Sequence, residues 1–147
     1  ETVAGVVHFD EILELACGSI DNITIGRTDL SSSYFDESVV PDSDHVIELI
    51  KRLGEKTKER QLEFSVGGSV SVKTVELLEK DAVFWKSLIT KLETRKVIFS
   101  AQSIIGNSNT VKDALKFEEL YILSKKEISD LFLEAELSRL TKLKLRT

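Results

Sequence analysis

Residues 22–31, Asn-Ile-Thr-Ile-Gly-Arg-Thr-Asp-Leu-Ser, place a short β-branched run, a glycine and a carboxylate in the order by which α/β enzymes present a ligand at a strand's carboxyl end. Gly26 lets the backbone turn close to whatever occupies the strand mouth, and Asp29 is held where a metal ion or a substrate can reach it. The same ten residues also read as an ordinary strand-to-helix loop in which Asp29 and Ser31 cap the next element. The other chemistry-bearing side chains are less suggestive. His8 and His45 have no metal-ligand spacing to another His, Cys or carboxylate, and read as helix-start or surface residues. Ser31, Ser32 and Ser33 have no neighbouring base and read as loop and cap material. Cys17 falls in an apolar helical stripe and reads as a small core residue. There is no P-loop, no zinc signature and no dinucleotide fingerprint, because Gly67-Gly68 lacks the third glycine and the later ribose-binding acid.

These residues need elements to hold them. Phe9, Ile12, Leu13, Leu15 and Ala16 form a helical stripe that Gly18 and Ser19 end, ahead of a strand over residues 22–25. Residues 27–43, rich in Ser and Asp and holding the only proline, Pro41, read as a long loop, with Asp42, Ser43 and Asp44 supplying caps for the next helix. Val46, Ile47, Leu49, Ile50 and Leu53 then fall at helical spacing. Residues 61–66 read as the next strand, running into Gly67-Gly68-Ser69, and Ser69 or Ser71 can cap a helix carrying Val72, Val75, Leu77 and Leu78. Phe84 and Trp85 read as an anchor for a helix or a cover for a sheet edge. Residues 88–92 read as a short helical or looped connection, and residues 96–100 as the clearest remaining strand. Two helices come after it, one from Val111 to about Leu123 and a longer one from about Ile128 to Leu145.

The predicted order is α-β-α-β-α-β-α-α with parallel strands implied by the helical crossovers. Such strands belong either to a doubly wound sheet or to part of a (β/α) barrel, and both place ligands at the strands' carboxyl ends. Three strands, or four if residues 1–5 finish another, are too few to close a barrel and leave sheet edges exposed, so the chain reads as half of something.

Composition narrows the function classes. With 147 residues, 41% hydrophobic and 31% charged, and a net charge of −5, the chain reads as one domain, residues 1–147. The acidic balance argues against a nucleic-acid surface, the dense basic stretch being confined to residues 142–146. No apolar run reaches the roughly 18 residues of a membrane span, and one cysteine suits a reducing compartment; the expectation is a cytoplasmic protein with no membrane partner. The chain opens on Glu1 and contains no methionine, where about three are expected at average usage. That pattern fits a processed or truncated piece, or a sequence from which methionine positions have been lost.

Glu1-Thr2 followed by residues 9–12, then residues 25–31 (Ile-Gly-Arg-Thr-Asp-Leu-Ser), the Gly67-Gly68 turn and residues 93–99 resemble the family of 2-oxo-acid aldolases and citrate lyase β-subunits. The resemblance runs through nearly the whole chain and matches the carboxyl-terminal half of that family's TIM barrel. It implies a partial (β/α) barrel with a long C-terminal helix. It also implies that Glu1 and Asp29 bind a divalent ion, Mg²⁺ or Mn²⁺, and that Gly26, Arg27, Thr28 and Asp29 form the substrate-binding turn. Arg27 stands where the family usually carries proline; it adds an anion contact or pairs with a surface carboxylate.

The chemistry implied is that of a hard cation on a 2-oxo acid or acyl-CoA. Such an ion takes one or two protein carboxylates, leaves positions for substrate, and stabilises the enolate formed as a carbon–carbon bond breaks or forms. The backbone N–H groups of Thr28 and Asp29 then hold the substrate carboxylate. Against this lyase stands a reading from another class, a non-catalytic half-barrel scaffold that associates through its open edge and its leucine-rich C-terminal helix. The lyase is expected as a homo-oligomer, and the scaffold as pairing with a second copy or another subunit.

Overall fold

The most buried strand organises the molecule. In the computed structural model, which describes residues 1–16 and 18–146, Phe64, Ser65, Val66 and Gly67 lie inside, between two parallel neighbours. The elements in chain order are α1 (Val3–Val7), α2 (Phe9–Ala16), β1 (Asn22–Gly26), α3 (Arg27–Ser32), α4 (Asp44–Glu59), β2 (Glu63–Gly67), α5 (Val72–Glu79), α6 (Ala82–Leu88), β3 (Lys91–Glu93), β4 (Ile98–Ser100), α7 (Ala101–Ile104) and α8 (Ser108–Lys144). The strands form one open sheet in the order β1-β2-β3-β4. The first three are parallel, and β4 returns antiparallel to β3. The fold is therefore mixed α/β with a long C-terminal helix, and the described residues do not form a TIM barrel.

Strand alternation divides the sheet into two unlike faces. Ile23 and Phe64 are register partners, as are Ile25, Val66 and Leu92, with Phe99 opposite Leu92. This apolar face joins the core with Val46, Leu49, Ile50 and Leu53 of α4. Burying each such side chain contributes about 1.5–3 kcal/mol. The approach of α4 to β2 depends on Gly54, because a Cβ there would lie 2.8 Å from Phe64 Cε1 and 2.9 Å from Leu88 Cδ2. The opposite face carries Asn22, Thr24, Ser65, Lys91 and Glu93, and its polar groups bond to one another. Ser65 Oγ donates to Asn22 Oδ1 at 2.8 Å, Asn22 Nδ2 to Thr24 Oγ1 at 3.0 Å, and Lys91 Nζ to Glu63 Oε2 at 2.6 Å.

Several expectations change. The stretch over residues 27–43 opens as helix α3, not as loop. Residues 1–5 supply no strand; α1 stands there, capped by Thr2, whose side chain accepts from the Gly5 N–H. The third parallel strand is β3, from residues read as a connection. The run at 96–100 is strand only over Ile98–Ser100 and is antiparallel, because residues 94–97 form a tight turn closed by Thr94 N–H to Val97 O at 2.8 Å. The two predicted C-terminal helices are one helix of 37 residues, since no Gly or Pro interrupts residues 124–127. Trp85 is buried beside Phe84, ring centroids 5.0 Å apart, and anchors α6. Cys17, expected in the core, lies outside the described residues.

Candidate functional site

The last residues of the three parallel strands, Gly26, Gly67 and Glu93, are register partners and form one row across the sheet's polar face. Above this row lies a cleft of about 560 Å³, lined by Glu1, Thr28, Asp29, Gly68, Ser69 and Arg95 among others, and closed on one side by Leu115 and Glu118 of α8. Three of the four sequence-predicted positions on the turn, Gly26, Thr28 and Asp29, line it together with Glu1; Arg27 does not.

Glu1 is brought in by local devices. Thr2 caps α1, and Val3 N–H donates to Ser33 Oγ at 3.0 Å, which pins the start of the chain to the end of α3. The Glu1 carboxylate then rests against Gly26, where a Cβ would fall 2.5 Å from Oε1 and 3.0 Å from Cδ. The glycine's missing side chain is the cradle for the carboxylate. Gly68 makes the second close approach. Its φ of +76° is left-handed, and a Cβ there would lie 2.6 Å from Thr28 N and 2.7 Å from Arg27 N. Thr28 Oγ1 and Ser69 Oγ, 2.8 Å apart, tie the two turns across the cleft floor. No side chain caps α3, so the first-turn N–H groups of Thr28 and Asp29 donate to no capping side chain.

Arg27 has a different task. It is fully buried, and all five guanidinium N–H groups are directed at acceptors: Nε to Gly67 O (3.3 Å), Nη1 to Pro41 O (3.3 Å) and Asp42 Oδ1, Nη2 to Gly68 O (2.9 Å) and Thr74 Oγ1 (3.3 Å). Burial lowers its pKa, and the charge and hydrogen bond of Asp42 act against that shift. Its partner is thus a largely buried carboxylate, not a surface one. Thr74 Oγ1 donates to Asp42 and also accepts the Ser71 N–H in a capping box, so the start of α5 is fastened to the same cluster. Arg27 holds the β1 and β2 turns together from beneath, and no donor on its side chain remains for a ligand. Asp42, read as a helix cap, is consumed here, and the N-cap of α4 is Ser43 without a side-chain bond.

Charge in the cleft is one-sided. Glu1, Asp29, Glu93 and Glu118 face it, against the single cationic side chain Arg95. Carboxylates elsewhere near the sheet and α4 are committed, Glu63 to Lys91 and Asp10 to Lys56. Glu1, Asp29 and Glu93 make no side-chain hydrogen bond or ion pair among the described residues. Four carboxylates about one guanidinium attract cations and repel an anionic ligand until a cation is present. Among the described residues no three His, Cys, Asp or Glu side chains converge as a complete metal cage. Two carboxylates suit Mg²⁺ or Mn²⁺, whose remaining positions water and substrate fill. Glu93 opens the 93–99 stretch of the resemblance but carries no site role there; its register with Gly67 and its place in the cleft lining bring it to the site.

The remaining candidates lie apart. His8 Nδ1 lies 3.1 Å from Glu11 on the surface, and His45 meets the Tyr34 ring edge-on with centroids 5.0 Å apart. Ser32 and Ser33 bond back to α3 carbonyls, whereas the buried Ser31 Oγ has no partner among the described residues. No described helix is long and apolar enough to cross a membrane. No protein-family model, no curated protein and no solved structure matches the chain.

Proposed function

We propose that the chain is the carboxyl-terminal half of a (β/α) barrel belonging to a divalent-metal-dependent carbon–carbon lyase that acts on a 2-oxo acid or acyl-CoA. The observation that carries this reading is the meeting of Glu1 and Asp29 in one cleft at the strands' carboxyl ends, with Gly26 leaving room for the Glu1 carboxylate. The polar sheet face and the outer edge of β1, which pairs with no strand among the described residues, support a sheet that continues into a second half. Glu1 and Asp29 would hold Mg²⁺ or Mn²⁺, which would supply Lewis-acid chemistry to a bound 2-oxo acid. The N–H groups of Thr28 and Asp29 orient the substrate carboxylate, and Arg27 keeps that turn rigid from below. The cleft's negative balance makes binding ordered, cation before acid.

Calorimetric titration of Mg²⁺ and then pyruvate or oxaloacetate, into the wild type and Asp29→Ala, tests the reading. Metal-dependent binding of the acid in the wild type, lost in the variant, supports it; no binding in either form refutes it.

One observation favours the second reading, a scaffold that associates with another copy. Every residue of α8 from Glu119 onward is exposed, including Leu120, Phe132, Leu133, Leu137 and Leu140. Sedimentation across a concentration series tests it, and a monomer throughout counts against it.

A further inference from the structure

The turn that joins β3 to β4 meets α8 beside the cleft. Thr94 fastens that turn twice, its N–H donating to Val97 O at 2.8 Å and its Oγ1 accepting the Val97 N–H at 3.0 Å, so Arg95 and Lys96 extend from a fixed loop. Lys96 Nζ stands 4.2 Å from the Tyr121 ring centroid, and Lys125 Nζ, one turn further along α8, stands 5.1 Å from it. The two ammonium groups are therefore closer than one Debye length, about 10 Å at 0.1 M salt, and repel each other largely unscreened. No carboxylate offsets them: Arg95, Lys96 and Lys125 make no ion pair among the described residues. The preceding turn of α8 carries Glu119, paired with Lys116 at 2.7 Å, and Glu118, which lines the cleft. One aromatic ring attracts cations without neutralising their charge. The hydrogen bond from Lys125, and then the charges of Lys125 and Lys96, hold the Tyr121 phenol below its usual pKa, the direction expected where positive potential collects. Because Lys125 donates to the phenolic oxygen, the Tyr121 O–H stays available as a donor.

We propose that Lys96, Tyr121 and Lys125, with Arg95 beside them, bind the diphosphate group of an anionic ligand at the rim of the cleft. The spacing of the cations selects the chemistry. A carboxylate brings one charge and two oxygens close together, whereas a diphosphate spreads several charged oxygens over two phosphorus centres, reaches both nitrogens and offsets both charges. The Tyr121 O–H adds a neutral donor between them. Arg95, which lines the cleft, stands where the rest of such a ligand passes inward. The site goes beyond the function proposed above and does not depend on it, since neither Glu1 nor Asp29 takes part. It gives an anionic ligand a foothold next to four carboxylates that otherwise repel it.

The test is calorimetric titration of pyrophosphate, and separately of ADP, into the protein in metal-free buffer of low ionic strength. The wild type is expected to bind pyrophosphate, and Lys96→Met and Lys125→Met each to weaken it about fivefold or more. Lys96→Arg, which keeps the charge, should stay within about threefold of the wild type, so a loss confined to Lys96→Met reports the charge and not a disturbed turn. Lys126→Met removes the same charge from the next position of α8 and should change affinity less than about twofold. ADP bound more tightly than pyrophosphate assigns the diphosphate to an organic ligand, and equal affinity assigns it to the free anion; both support the site. No pyrophosphate or ADP binding by the wild type overturns it, as does a loss in Lys126→Met equal to that in Lys125→Met, because attraction to net charge then explains the binding. Neither Mg²⁺ nor pyruvate enters the titration, so its outcome is separate from that of the lyase reading.

Discussion

Asp42→Ala should cost far more than a surface acid ordinarily does, although the residue sits in a serine-rich loop. Arg27 is wholly buried and the Asp42 side chain is 13% exposed, so truncation leaves a desolvated guanidinium without its counter-charge. Removing one partner of such a pair costs about 3–5 kcal/mol. The four remaining acceptors, three carbonyls and Thr74 Oγ1, satisfy N–H groups without neutralising the charge, and Thr74 Oγ1 loses its own acceptor at once. For a chain of this size that loss lowers Tm by about 6–20 °C, at about 2–4 °C per kcal/mol. Arg27→Met should cost less, about 1–3 kcal/mol, because Asp42 keeps some contact with water and the methionine fills part of the space. In the double variant both charges are gone, and most of the Asp42→Ala penalty should be relieved, giving a coupling energy above about 1 kcal/mol. Urea unfolding of the four proteins measures the cycle. A loss under about 0.5 kcal/mol in Asp42→Ala, or additive single effects, refutes the clamp and frees Arg27 to be a ligand.

Gly26→Ala should leave the fold intact, within about 1 kcal/mol, since the three atoms nearest the added Cβ all belong to the flexible Glu1 side chain; Mg²⁺ affinity should fall about tenfold or more, and unchanged affinity in calorimetry removes Glu1 from the site. Gly54→Ala gains about 1 kcal/mol of helix propensity but forces Phe64 and Leu88 aside at about 1–3 kcal/mol, so a net loss is expected, and a raised melting temperature contradicts it. The hydrogen bond and then the charge of Lys91 hold Glu63 below the usual carboxylate range, so its stabilisation is present above the unfolded-state pKa and is lost as pH falls through the lower folded value. Lys91→Ala should flatten that part of the acid limb in urea midpoints measured from about pH 5 downward, and an unaltered slope excludes the pair as a contributor.

The strands β1 and β2 and the helix α4 were legible because each satisfies a period over enough residues: alternation before a glycine, or five apolar side chains at helical spacing. β3 has only three residues, too few to show alternation, and Leu92 alone is fully apolar among them. Its strand state comes from pairing with β2, a tertiary cause that no local pattern carries. α3 was hidden by its own composition, since Ser and Asp signal turns, while Leu30 docking in the core and the Arg27 cluster below decide for helix. The site was legible in part. Gly26 and Asp29 announce a strand-end turn, and Gly67-Gly68 a second one, but the sequence does not say that Arg27 is spent joining them. A guanidinium beside a candidate ligand turn suggests anion binding, and only the count of its donors removes that role.

The cleft is assembled from parts of unequal strength. The row of Gly26, Gly67 and Glu93 is carried by sheet pairing, and the Asp29 turn is fastened to it by the buried Arg27–Asp42–Thr74 cluster. Among the described residues, Glu1 is positioned through the Thr2 cap of α1 and the bond from Val3 to Ser33, each worth about 1 kcal/mol. A cation shared by Glu1 and Asp29, as proposed, would tie α1 to the Asp29 turn. Cation binding and the docking of α1 would then be linked, the ion raising the stability of residues 1–7 by as much as their order raises the affinity for the ion.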